Sequence, residues 1–248
     1  MRKGMLVASL AASVCSLSAQ AEMVSLSATR DATIYESTTG EVANGAGQYL
    51  FAGRTNQNLA RRALVHFDIA SAIPDGATIT SARLILNISQ ANGGVRDVFL
   101  HRAAALWTTG ASNPDGTESL GATPELGDTT WTYASYGPPG TGQWKAAGGD
   151  YIPFWSAVTA TTTSGLQTWQ SIGLTNDVRA FAEDASQNLG WFLLGDESVA
   201  GTSRRFDSAD SAAFGGIVPR LEIEFEPVPA PGAVALLVLA GFVSRRRR

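Results

Sequence analysis

The chain has 248 residues, 18 Lys+Arg against 22 Asp+Glu for a formal charge of -4, and one Cys. At 44% hydrophobic and 16% charged it can bury a core, which excludes wholesale disorder. Arg2, Lys3, Arg245, Arg246, Arg247 and Arg248 lie in terminal segments that hold no carboxylate, so residues 22–226 carry -10. A domain that acidic argues against nucleic acid as a partner, because phosphate binding needs clustered cations.

Met1 to Ala21 has a short basic start, an apolar and small-residue run from Met5 to Leu17, and the A-x-A signature Ala19-Gln20-Ala21. It reads as a secretory signal peptide cleaved after Ala21, too short to anchor in a bilayer. Cys15 opens a lipoprotein alternative, although Val14 before it is bulkier than such processing takes. Cleavage after Ala21 removes the sole Cys, so the mature chain can form neither a disulfide nor a thiolate metal site.

Residues 22–226 read as one domain in which strand signals dominate. Leu64 to Ile69 is β-rich and runs toward the turn Ile73-Pro74-Asp75-Gly76. Thr78 to Ile88 places Ala82, Leu84, Leu86 and Ile88 on one face, and Val95 to Leu100 follows. Gly110 to Gly149, rich in Gly, Pro, Thr and Ser, is long for a structureless loop and suggests a functional or self-packed insertion. One short helix is expected near 175–186, with Thr175 as N-cap and Val178, Phe181, Ala182 and Ala185 on one stripe. Leu189 to Leu194 and Leu221 to Glu226 complete the strands, the last alternating apolar and carboxylate. Many strands, turn signals and a single helix predict an all-β, antiparallel β-sandwich.

After the domain come Val228-Pro229-Ala230-Pro231-Gly232, an apolar run from Ala233 to Val243, and four terminal arginines, Arg245, Arg246, Arg247 and Arg248. An ordinary short C-terminal anchor is one reading, with the arginines held on the cytoplasmic side. The tripartite layout of residues 227–248 also resembles a PEP-CTERM sorting signal, with Ala230 where that family usually has Glu. The resemblance implies export, transient membrane retention and cleavage by an exosortase-type membrane protease. It also implies delivery to the surface or extracellular matrix of a polysaccharide-producing bacterium.

Within the domain, Asp31-Ala32-Thr33-Ile34, Asn44-Gly45-Ala46-Gly47, and Arg62-Ala63-Leu64-Val65-His66-Phe67-Asp68-Ile69 occur in order. Gly127-Asp128-Thr129-Thr130-Trp131, Gly190-Trp191-Phe192-Leu193-Leu194, Arg205-Phe206-Asp207-Ser208 and Pro219-Arg220-Leu221-Glu222-Ile223 continue the series. In order and spacing these motifs resemble a DNRLRE domain across essentially the whole of residues 22–226. That resemblance implies a jelly-roll-like sandwich, similar to carbohydrate-binding modules of which some bind alginate-type acidic polysaccharides.

Sugar rings present apolar faces to flat aromatics, which makes Trp131, Trp144, Tyr151 and Trp155, in or beside the insertion, stacking candidates; core pinning is the rival role. Trp169 and Trp191 read as core. An acidic glycan would be clamped by arginines, and Arg61, Arg62, Arg204 and Arg205 are the candidates, with solubility or ion pairing as their ordinary role. Asp31, Asp68 and Asp128 are oxygen donors that a bound Ca²⁺ could recruit, without any EF-hand-like spacing; Asp68 reads equally as a strand-end cap. His66 and His101 sit in no metal motif, and no nucleophile elbow or phosphate loop occurs. The reading is a secreted, non-catalytic carbohydrate or exopolysaccharide-binding module; a structural matrix protein without a glycan ligand is the alternative. A hydrolase or lyase is the remaining option.

Overall fold

Alternating apolar residues become strands here because one face of each finds a shared core. The computed structural model describes residues 20–116 and 118–228. Most of the signal peptide, including Ala19, lies outside the described residues. So does the sorting motif: Pro229, Ala230, Pro231 and Gly232, and the terminal Arg245, Arg246, Arg247 and Arg248. Twelve strands appear: β1 (Glu22–Ser27), β2 (Arg30–Tyr35), β3 (Ala43–Asn44), β4 (Tyr49–Arg54), β5 (Ala60–His66) and β6 (Thr78–Ala91), then β7 (Arg96–Ala103), β8 (Tyr151–Thr161), β9 (Gly165–Gln170), β10 (Trp191–Leu194), β11 (Arg204–Asp207) and β12 (Arg220–Glu226). A single α-helix, α1 (Ile172–Glu183), occurs among the described residues. The fold is thus all-β and antiparallel with one short helix.

The hydrogen-bonded path runs β1-β12-β6-β11-β4-β5-β10-β7-β8, with β9 attached to β6 and β2 to β5. It folds back on itself at β4. Tyr49 to Ala52 pair with β11, whereas Gly53 and Arg54 pair with β5. Gly53 makes that change of partner with φ +110°, and a Cβ there would lie 2.8 Å from the Thr202 carbonyl oxygen. No residue with a side chain fits both conditions. The result is two layers, β1-β12-β6-β11-β4 with β9 and β5-β10-β7-β8 with β2 and β3. The predicted stripe Ala82, Leu84, Leu86 and Ile88 faces Val65, Val98, Leu100, Trp191 and Leu193 across the core. Trp169 of β9 donates its indole N–H to the Val98 carbonyl of β7 at 2.8 Å, tying the layers together.

The helix begins three residues before the expected range. Ser171 is the N-cap, its hydroxyl accepting from the Leu174 N–H. Thr175, expected at that position, is buried inside the helix, and its hydroxyl donates to the Ser171 carbonyl at 2.9 Å. The apolar stripe was right about the face, since Leu174, Val178 and Phe181 enter the core, but Ala185 falls beyond the helix end in a 3₁₀ turn.

β12 buries Leu221, Ile223 and Phe225 and turns its glutamates outward, as its alternation predicts. β10 does not alternate: Trp191, Phe192, Leu193 and Leu194 are all buried. Trp191 and Leu193 belong to the central core, Phe192 and Leu194 to a second cluster outside layer two. The insertion supplies the cover for that cluster, with Trp107, Ala134 and Trp144 packed on Phe192 and Leu64. Layer two is buried on both faces, and a continuous apolar run is how such a strand reads.

Candidate functional site

Strand alternation leaves the outer face of layer one open. In β4, Leu50 and Ala52 enter the core, so Tyr49 and Phe51 point outward. In β11, Phe206 enters the core and Arg205 points outward, opposite Phe51 on one side and Gln90 of β6 on the other. A bulge in β6 at Ser89 brings Gln90 to the outer face; bulges re-aim side chains in this way. Phe51, Arg205 and Gln90 thus form one row across three strands. Together with the Thr55–Gln57 loop and residues 118–120 they line a groove of about 600 Å³.

The Arg205 guanidinium lies 4.0 Å from the centre of the Tyr49 ring, and its Nε donates to Ser89 Oγ at 3.0 Å. Its two terminal nitrogens make no hydrogen bond to protein among the described residues. Arg61, only 6% exposed, enters from β5 with its guanidinium 4.7 Å from the Tyr35 ring. It donates to the Ala60 and Glu36 carbonyls, but its buried Nε has no partner, and burial lowers its pKa. Glu118 fixes the insertion at the groove wall. Its two oxygens accept from the N–H groups of Gln48 and Tyr49 at 2.9 and 2.7 Å, while Tyr35 donates to its carbonyl. Burial pushes the Glu118 carboxyl up against the lowering effect of those donors. Five carboxamides, Gln48, Asn56, Gln57, Gln90 and Asn92, complete the lining, and none of these amide groups bonds to protein among the described residues.

The other predicted residues are dispersed. Arg204 is fully buried on the core side of β11 and is no surface clamp. Its Nε donates to Thr161 Oγ1 at 3.0 Å and its other nitrogens to the carbonyls of Thr202, Asn92 and Gly94, closing one end of the sandwich. Arg62 is a forked pair with Glu197, both contacts 2.8 Å, and its guanidinium lies 4.8 Å from the Trp131 ring. Burial pulls its pKa down, but Glu197 outweighs burial and the net shift is upward.

Trp144, at 6% exposure, is core and presents no face for stacking; its indole N–H goes to the Thr130 carbonyl. Tyr151 packs between His101 and Phe192. Trp131 is half-buried beneath Arg62. Trp155 is 57% exposed, on β8 and away from the groove.

Asp31, Asp68 and Asp128 do not converge. Asp128 organises the insertion, accepting the N–H groups of Ala111, Ser112 and Glu125. Asp31 accepts one backbone N–H, from Ala209 at 2.7 Å, and burial pushes its pKa up to about 7. Asp68 is exposed beyond the end of β5. Among the described residues no three His, Cys, Asp or Glu side chains gather as a metal site.

The groove takes two residues from the predicted arginine set, Arg61 and Arg205. Sequence reasoning missed Gln48, Tyr49, Gln90, Asn92 and Glu118, which come from separate segments. The amide-rich turn Thr55-Asn56-Gln57-Asn58 was the one local signal. No protein-family model matches the chain, and no curated protein matches it. The DNRLRE and PEP-CTERM resemblances therefore stand on their motifs alone.

Proposed function

We propose that this is a secreted, non-catalytic carbohydrate-binding protein of the bacterial surface or matrix, and that the layer-one groove holds the glycan. The carrying observation is the set of five uncommitted carboxamides around Tyr49 and Arg205. Sugar hydroxyls both donate and accept, and a carboxamide matches both roles. The free terminal nitrogens of Arg205 and the unpartnered Nε of Arg61 favour a uronate carboxylate among the sugars. They offer local positive charge within a domain of -10, so recognition of an acidic glycan is short-range. Glu118 is the sole carboxylate among the groove-lining residues, and backbone N–H groups hold both its oxygens. Glycoside hydrolysis takes two carboxylates facing across a sugar, so this lining supports binding without turnover. Export and sorting rest on the signal-like start and the PEP-CTERM-like tail; the scissile Ala21–Glu22 bond immediately precedes β1.

Affinity electrophoresis in gels holding neutral or uronate polysaccharides tests the reading. The protein is expected to be retarded, and Arg205→Ala to weaken retention roughly 10–100-fold, the worth of a hydrogen bond to a charged group. Absence of retardation on every polysaccharide sinks the proposal and leaves the structural matrix alternative. Release of reducing ends or unsaturated sugars overturns its non-catalytic part. Because the three aspartates do not converge, retention is expected to survive chelation of Ca²⁺.

A further inference from the structure

The sandwich has two kinds of strand edge. β1 pairs only with β12 among the described residues, and this side is charged: Glu22 begins β1, while Glu222, Glu224 and Glu226 lie along β12. Carboxylates there repel a second strand, the usual protection for an exposed edge. The other edge is formed by β8 and β9, the ends of the two layers on the side away from β4. β8 pairs only with β7, and β9 only with β6, among the described residues. No charged residue occurs from Tyr151 to Asn176.

This uncharged edge is also apolar. Phe154 is 86% exposed, and Trp155, Val158, Leu166 and Ile172 are exposed beside it. Trp155 leans on Phe99 at 5.4 Å. The indoles of Trp107, Trp144, Trp169 and Trp191 each donate to protein, but Trp155 has no such partner among the described residues. The nearest charges are turned away. The Asp177 carboxylate accepts from Ser156 and from Trp191 Nε1 and lies 3.7 Å from Arg102; Arg179 donates to the Ile79 carbonyl; Asp150 accepts the N–H groups of Lys145 and Ala146. Clustered apolar exposure of this kind marks an interaction surface.

We propose that the β8–β9 edge docks against the same edge of a second copy, giving a two-fold dimer. The charge distribution selects this occupant. Two domains of -10 repel, and a two-fold contact sets each surface against itself, so only an uncharged strip meets its own image without like-charge clashes. Pro153, which lacks an N–H, and the register shift in β8 opposite His101 interrupt the strand edge. The contact is therefore one of packed side chains, with Phe154 and Trp155 at its centre. The two grooves stay open in the dimer, because the row Phe51, Arg205 and Gln90 lies on the outer face of layer one.

Sedimentation equilibrium of the full chain, between about 1 and 100 μM, tests this. The expected result is a reversible monomer–dimer equilibrium, shifted at least tenfold toward monomer by Phe154→Lys with Trp155→Lys. Leu166→Lys, on the other strand of the edge, is expected to act in the same direction, which guards against a folding failure in β8. Circular dichroism and Arg205-dependent glycan retention are expected to stay unchanged, so the dimer and the groove are read separately. A monomer throughout that range overturns the proposal. So does a dimer that survives all three lysines, since the contact then lies elsewhere. Loss of glycan retention in the lysine variants without any change in mass also overturns it, by making the edge a sugar platform.

Discussion

The two outer faces of the sandwich hold the same ingredients and put them to opposite uses. On layer one, Arg205 lies against Tyr49 beside uncommitted amides, and the face is open. On layer two, Arg62 lies against Trp131 and Tyr151, but Glu197 takes its fork and the Gly148 carbonyl a further nitrogen. The insertion then covers the face. Gly149 makes that cover fit, since at φ +95° a Cβ there would lie 2.4 Å from the Phe192 ring. An arginine–aromatic pair is therefore not a binding signature by itself. What decides its use is whether the guanidinium has donors left and whether another segment lies over it.

The contrast can be broken most forcefully at Trp144. Trp144→Ala is expected to cost about 3–5 kcal/mol in urea unfolding, as for other buried aromatics, while the folded fraction keeps its glycan affinity. A loss under about 1 kcal/mol makes the insertion a loose flap and ends the distinction between the faces. Next, Arg62→Ala and Arg205→Ala are expected to separate stability from binding. The first strands the half-buried Glu197 and lowers stability by about 1–3 kcal/mol with retention intact. The second weakens retention and moves the melting point by a degree or two at most. Equal effects of the two variants on retention would erase the comparison.

Two buried groups make opposite pH slopes. Asp31 has its pKa raised to about 7 by burial, so the folded state holds its proton longer, and stability falls as pH rises from about 4 to 7. His66 has its pKa lowered to about 4 by burial and by the charge of Arg30. Its unfolded form takes a proton first, so stability falls as pH drops from about 6.5 to 4. In the wild type the slopes oppose each other. Asp31→Asn is expected to leave melting temperature rising with pH across that window, and His66→Gln to leave it falling; identical profiles refute the assignment. The smallest effect belongs to Trp155→Ala, expected within about 0.5 kcal/mol of wild type for so exposed a ring.

Much of the fold was legible because its signals are local. The alternation of Leu221 to Glu226 and the stripe of Ala82 to Ile88 each report one buried face, and both strands lie where the pattern puts them. β2, β4 and β11 were not legible as strands. β4 is short and changes layers at Gly53, while β11 carries the adjacent Arg204 and Arg205, which read as surface in any window. The helix moved because capping depends on which hydroxyl meets a free N–H, and Ser171 did so before Thr175. The candidate site was half legible. Arginine type and position pointed to Arg61 and Arg205, but nothing local distinguished them from Arg62 and Arg204.

The sequence by itself determined the composition of the working domain: acidic, cysteine-free once cleaved, strand-rich, with a charge-free stretch from Tyr151 to Asn176. Periodicity and charge are properties of neighbours along the chain, so the chain displays them directly. Tertiary structure alone decided that Arg204 is buried and Arg205 is open, that Trp144 is core and Trp155 is not, and that amides from four segments share a groove. Burial and free hydrogen-bonding capacity depend on what packs against a residue from far along the chain. Here the return of β4 at Gly53 and the path of the insertion set those contacts, and neither is written in any short window.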